Sequence, residues 1–332
     1  MLKVLEDEYA IKKSRQQFVK SFRPFIDEKI PVNLGHSGGT IKTKVLWSDS
    51  LGIWMFHDTI SDSRYWHAFG SGKPSASANT PITCEINFPI SGIDRRVGGA
   101  LATDRLGRIF VVHRGKIGGG QKGIGKSFFE DHYRGVWTVM EDGPAETAVA
   151  LAGVLNSPIF VRQIAQFVRK ISRIKSISSF RSPQLEITFE ELSFREEIIG
   201  TDHTHTLINP ESGCEHGLVV KDLHDALVSM GYRAGNDFER DLFIANAKGI
   251  VTTVFQIVTD SSADSIRSGA VLLLFANINL PENPLLILVV PKAVDEALNA
   301  KLKKLGINTL VFEWQRAQAV FSKLNSLICI KS

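Results

Sequence analysis

Four groups of residues in the chain have the types and spacing needed for chemistry. Gly120-Gln121-Lys122-Gly123-Ile124-Gly125-Lys126-Ser127 satisfies the pattern G-x-x-x-x-G-K-[ST], in which backbone N–H groups and a lysine cradle phosphates. Just before it, His113, Arg114 and Lys116 lead into Lys122 and Lys126 through a glycine-rich stretch. Glycines allow a phosphate close to the backbone and the cations neutralise it, while Arg95 and Arg96 could extend the same surface. Trp47, Trp54, Phe56, Tyr65 and Trp66 lie within twenty residues of one another. Aromatic rings so placed can stack on bases or line a pocket for an extruded base, and they can equally form the core of a small β domain. Finally, Arg240-Asp241-Leu242 and Phe255-Gln256-Ile257-Val258-Thr259-Asp260 place a carboxylate and a carboxamide on neighbouring apolar runs, with Lys248 between them. A weaker pattern, Asp202-His203-Thr204-His205 with Cys214-Glu215-His216, has nitrogen and sulfur ligands but matches no common zinc spacing.

The P-loop reading needs a buried strand running straight into Gly120 and a long helix from Lys126. The sequence offers neither. Ile109–Val112 is followed by seven further residues before the pattern starts, and the segment after Lys126 closes at Gly135. The cations of this stretch are better matched to polyanion contacts than to ATP.

Charge points the same way. Residues 1–185 carry 26 Lys+Arg against 16 Asp+Glu, residues 186–210 one against six, and residues 211–332 twelve against 13. The excess positive charge belongs to the N-terminal part, and a basic domain attracts nucleic acid through its field and counterion release. Three scattered cysteines make no disulfide framework. No apolar run reaches the ~20 residues of a membrane span, and the N-terminus lacks a signal-like apolar region. A cytoplasmic protein with no membrane partner is expected.

The expected fold class is α+β, in two domains. Residues 1–185 form a basic, mainly β DNA-binding domain. It opens on a helix within 5–30, continues as short strands between 40 and 115, and returns to helix over 145–175. Residues 186–210 are an acidic linker. Residues 211–332 alternate elements: a helix from His216 to Gly231, strands over Arg240–Ala245 and Gly249–Thr259, a helix over Ser261–Asn277, a strand at Leu285–Val290, a helix at Asp295–Leu305 and a strand at Asn308–Trp314. The apolar strands lack alternation, so helices should cover both faces of a central mixed sheet.

The order helix, antiparallel strands, helix, strand, helix, strand resembles the PD-(D/E)XK, or restriction-endonuclease-like, superfamily over roughly residues 211–315. So do Arg240-Asp241-Leu242, Phe255-Gln256-Ile257-Val258-Thr259-Asp260 and Ala270-Val271-Leu272-Leu273-Leu274-Phe275. The resemblance implies a Mg²⁺-dependent DNA endonuclease of restriction or defence type, acting on double-stranded DNA, and is compatible with a homodimer. Carried over by position, Asp241 is the metal ligand, Gln256 stands where a second carboxylate belongs and Val258 where a lysine belongs, with Lys248 or Lys221 as substitute cations. Val271 replaces a glutamine. Three polar positions have become neutral or apolar, so the resemblance implies a pseudo-nuclease: a DNA-recognising protein reading a sequence or modified base, or a non-catalytic DNA-binding or assembly protein on a nuclease scaffold.

Overall fold

The computed structural model describes residues 1–36, 39–60, 64–118, 124–179, 194, 210–278, 280 and 283–328. The chain is mixed α+β and divides into two compact units, the first running to Gln184 and the second holding Glu215 to Ser332. The expected linker 186–210 lies, apart from Phe194 and Pro210, outside the described residues. Among the described residues no helix is long and apolar enough to cross a membrane.

The first unit opens on the strand Leu2–Val4 and the helix Glu8–Phe22, which the Asp7 side chain caps by accepting from Ala10 N at 2.8 Å. Ile11, Ser14, Phe18 and Phe22 recur at helical spacing and form its buried face. That face lies on a seven-stranded sheet whose long strands are Glu28–His36, Gly39–Ser48, Ile53–Ile60 and Arg64–Ser71. Phe18 meets His67, Phe69, Phe88 and Phe160 at centroid distances of 5.0 to 6.2 Å. The opposite face of the sheet buries Trp47, Trp54, Phe56 and Trp66 with Val32, Leu34 and Ile82.

A closed five-stranded barrel completes the unit: Leu2–Val4, Trp137–Asp142, Ala145–Val154, Ile109–His113 and Gly99–Thr103. The helical expectation for residues after 145 fails here, because Ala145–Val154 is a barrel strand and the helix, Phe160–Ser179, starts later. The alanines mislead through their helix propensity, yet along this strand they alternate with larger residues. Val149 and Leu151 fill the barrel interior, while Ala150 and Ala152 face the core that receives the helix. Gly153 carries the same logic further, since a Cβ there would lie 3.0 Å from the Phe160 ring.

The second unit is built on a five-stranded mixed sheet, ordered Arg233–Gly235, Leu242–Ala245, Val251–Ile257, Leu285–Val290 and Ile307–Val311. The first three strands are antiparallel and the last two join in parallel. Leu242, Ile244, Phe255, Ile257, Ile287 and Val289 face Val219, Leu223 and Leu227 of the helix Pro210–Ser229. Phe243, Val254, Val258, Leu286 and Leu288 face Ile266, Ala270 and Leu273 of the helix Ala263–Phe275 and Leu302 of the helix Glu296–Lys304. Burial on both faces is why these strands read as unbroken apolar runs.

Candidate functional site

In the second unit the chain enters its central hairpin through a tight turn. The Asp237 carboxylate accepts from the backbone N–H groups of Glu239 and Arg240, at 3.0 and 2.9 Å, and pairs with the Arg240 guanidinium. This turn takes up Arg240, so the strand begins at Leu242 and Asp241 stands at its mouth. The register Leu242↔Phe255 places Asp241 beside Gln256. The Asp241 Oδ2 accepts from Gln256 Nε2 at 2.6 Å and from Ile257 N at 2.9 Å, and His216 Nε2 stands 3.0 Å away. One part-buried carboxylate oxygen thus gathers three nitrogen groups from a helix and a strand.

The residues present do not fit the Mg²⁺ that the resemblance implies. A hard cation wants several oxygens, usually more than one of them anionic. Around Asp241 the neighbours are nitrogen donors aimed at the carboxylate itself. Among the described residues no group of three or more His, Cys, Asp or Glu side chains converges to hold a metal. Val258 is buried and packed under Gly269, whose added Cβ would lie 2.4 Å from Val258 Cγ2. The helix Ala263–Phe275 therefore presses on the sheet where a lysine would need room. Lys248 cannot replace it. It sits in the hairpin turn, where its N–H donates to Asn246 Oδ1 at 2.9 Å. Asp241 lies at the other end of the same hairpin, some ~17 Å off at about 3.4 Å per residue. Lys221, the other substitute, is paired with Asp225 at 2.7 Å.

In the first unit the structure reassigns much of the expected DNA surface. His113 is buried between Phe129 and Phe167, at centroid distances of 6.2 and 5.8 Å. Its Nδ1 accepts from Gly115 N at 3.0 Å, and burial pushes its pKa down to about 4, so it is a neutral core histidine. Arg114 is likewise internal. Its Nε and Nη2 donate to the two oxygens of Asp142 at 2.9 and 2.7 Å, and its Nη1 donates to the carbonyls of Val97 and Gly99. Asp142 is fully buried; Arg95 donates to its backbone carbonyl oxygen and holds Nε 3.7 Å from its Oδ2, so both arginines stand by one acid. Trp54, Tyr65 and Trp66 are buried core residues and present no ring to a base.

Four expected contacts remain on the surface, and Arg95 is one of them, its side chain half exposed beside Asp142. Arg96 is exposed and paired with Asp94 at 3.1 Å, Lys116 is exposed, and Lys126 is half exposed with Glu130 3.6 Å away. Lys122 lies outside the described residues, as does the first half of the G-x-x-x-x-G-K-S pattern. Its flanks are described. The strand Ile109–His113 is followed by an Ile117↔Ile124 bridge, and the helix that starts at Lys126 has seven residues. The helix Phe160–Ser179 carries further cations, and these are partly internal: Lys175 donates to Gly118 O at 3.0 Å, and Arg169 to Leu51 O at 2.8 Å.

The structure also gathers residues that sequence reasoning passed over. His57 and His67 are direct partners across the strands Ile53–Ile60 and Arg64–Ser71. Arg15, from the helix Glu8–Phe22, donates through Nε to His67 Nε2 at 3.3 Å and places Nη2 3.5 Å from His57 Nδ1. Its guanidinium lies over the Tyr65 ring, 5.0 Å from the centroid. The available signal was the run from Tyr9 to Ile26, which holds five cations (Lys12, Lys13, Arg15, Lys20 and Arg23) and no acid.

Comparison with protein families, with curated proteins and with solved structures finds no match to the chain.

Proposed function

We propose that this chain is a double-stranded-DNA-binding protein whose second unit is a restriction-endonuclease-like module that no longer cleaves. The observation that carries the proposal is the setting of Asp241. The helix, three antiparallel strands, helix, strand, helix, strand order brings Asp241 and Gln256 together at one sheet position, 2.6 Å apart. A nuclease of this architecture keeps its metal ligands there. Here the acid is sealed by a carboxamide, a backbone N–H and an imidazole, and the lysine position is a buried valine. What such a module retains is a rigid scaffold, and the basic first unit supplies the attraction to DNA.

The test pairs two assays on the full chain. Plasmid incubated with Mg²⁺ or Mn²⁺ should remain supercoiled, while a labelled duplex should bind with affinity that falls steeply as salt rises. Nicking that Asp241→Asn abolishes would overturn the loss of cleavage. Absence of salt-dependent duplex binding would overturn the DNA assignment.

A further inference from the structure

Arg15 is a guanidinium set among neutral groups. It is half buried, and both of its side-chain acceptors are histidines. His67 is fully buried with Nδ1 3.0 Å from Ile86 O, so Nδ1 carries the proton and Nε2 offers its lone pair to Arg15. Burial and the adjacent guanidinium hold the His67 pKa down to about 3, and burial with Arg15 and Arg23 also lowers that of His57. Both rings are therefore neutral near pH 7. Among the described residues no carboxylate lies within 4.0 Å of Arg15, and Asp58 is the acid whose field reaches it.

A guanidinium propped by neutral acceptors and a ring keeps its full charge, and burying a charge without a counter-ion is costly. Arg15 has five N–H groups, of which the two histidines engage two, so a fork of donors remains for an incoming anion. The exposed cations Lys12, Lys13, Lys20 and Arg23 lie on the same helix and its end, so the surrounding field is positive over several turns. A single small anion would use the guanidinium alone, whereas a polyanion uses the whole face.

We propose that Arg15, fixed by His57 and His67 over Tyr65, is a phosphate-binding residue that takes a backbone phosphodiester of DNA on the face of the helix Glu8–Phe22. The inference rests on the DNA-binding reading above and adds the site through which it acts. The histidines are positioning residues: they set the guanidinium without touching the ligand.

The experiment measures duplex affinity of the full chain against salt concentration, for the native protein and for Arg15→Gln. Loss of one phosphate contact should flatten the log–log slope by about 0.9 and weaken binding about tenfold at low salt. Arg15→Gln also removes an uncompensated charge, so its melting temperature should not fall below the native value. If it does fall, Arg15→Lys provides the reading: it keeps the charge and loses the fork, and should weaken binding several-fold at nearly native slope. Inorganic phosphate, compared with chloride at equal ionic strength, separates a free-phosphate site from a DNA site. Competition with duplex that disappears in Arg15→Gln supports the assignment, and phosphate binding without any duplex binding overturns it. Native slope and affinity in both variants overturn this inference and leave the DNA-binding reading standing. No duplex binding by the native chain overturns both.

Discussion

Arg114, just after the barrel strand Ile109–His113, and Arg15, on the helix Glu8–Phe22, belong to the same basic unit and have opposite surroundings. Arg114 is buried, and every neighbour it bonds is either the carboxylate of Asp142 or a backbone carbonyl. Arg15 is half exposed, and its neighbours are two neutral imidazoles and a phenol ring. The first guanidinium is spent on the fold, whereas the second is held in place with its charge intact. A cation's place in the sequence says little about its use; the partner that the fold supplies decides it.

The sharpest way to break this comparison is to remove Arg114. Arg114→Ala leaves the Asp142 carboxylate buried with only Arg95 near it, and such unpaired charges cost about 3–5 kcal/mol. Denaturant unfolding should show a loss of that size in the first unit. A loss below about 1 kcal/mol would mean that Arg114 is not a structural staple. Asp142→Asn with Arg114 intact should be nearly as damaging, for the mirror reason.

The acid response of the unit is of similar size. His67 and His113 have folded pKa values of about 3 and about 4, against an ordinary value of 6.5. Their folded values are depressed, so the unfolded chain binds protons first as pH falls. The stability is fully present above pH ~6.5 and is lost as pH drops toward the folded values. At pH 5 each histidine costs about 2 kcal/mol, or about 4 kcal/mol together. The groups bonded to His67 are Arg15 and the Ile86 and Asn87 groups, with His57 opposite, and none offers a carboxylate to the ring. A thermal melt unchanged between pH 7.5 and 5 would show that neither imidazole is held neutral. His67→Gln should remove roughly half of the pH dependence.

How much of this was legible in the sequence differs between the units for a physical reason. In the second unit nearly every expected element is present, with ends shifted by a few residues where caps decide them. Ser262 and Asp295 each accept from a backbone N–H and start their helices one residue later. The pairing of Asp241 with Gln256 was legible through the family resemblance; counting from the turn would have missed it by one residue, because the register shifts between Ile244 and Ala245. Counting does place Lys248 in the turn, at the far end of the hairpin from Asp241. In the first unit the strands Glu28–His36 and Trp137–Asp142 were missed, while Arg64–Ser71 and Gly99–Thr103 fell inside the expected 40–115 strand region without being delimited. Each pairs with a strand next to it in sequence, and Ile30, Val32 and Leu34 even alternate along Glu28–His36, but its first residues were assigned to the opening helix. The cation assignments failed for a deeper reason. Nothing in the letters His113-Arg114 reveals that Asp142 closes on them from 28 residues away. The aromatic stretch failed differently, since Trp54 and Trp66 have the composition of a stacking platform and the burial of a core.

The smallest effect sought comes from the second unit, where the comparison becomes one between acids. Asp142 is matched by full positive charge, whereas Asp241 is matched by a carboxamide, an N–H and an imidazole. Gln256→Glu tests whether this arrangement descends from a metal site or merely resembles one. The substitution removes the 2.6 Å donor and places two carboxylates side by side, which should destabilise the unit by about 1–3 kcal/mol without divalent cation. Two adjacent carboxylates are also the beginning of a Mg²⁺ or Mn²⁺ site. With a dissociation constant near 1 mM, 10 mM cation would return about 1.4 kcal/mol by mass action. Native protein, whose donors point at Asp241, should show no such cation-dependent stabilisation. Thermal melts of both proteins with and without Mn²⁺ decide the matter. Recovery confined to Gln256→Glu means that the fold still holds two ligands in metal-binding geometry and that one residue separates it from cation capture. Recovery in neither means that the likeness at Asp241 extends to the backbone and no further.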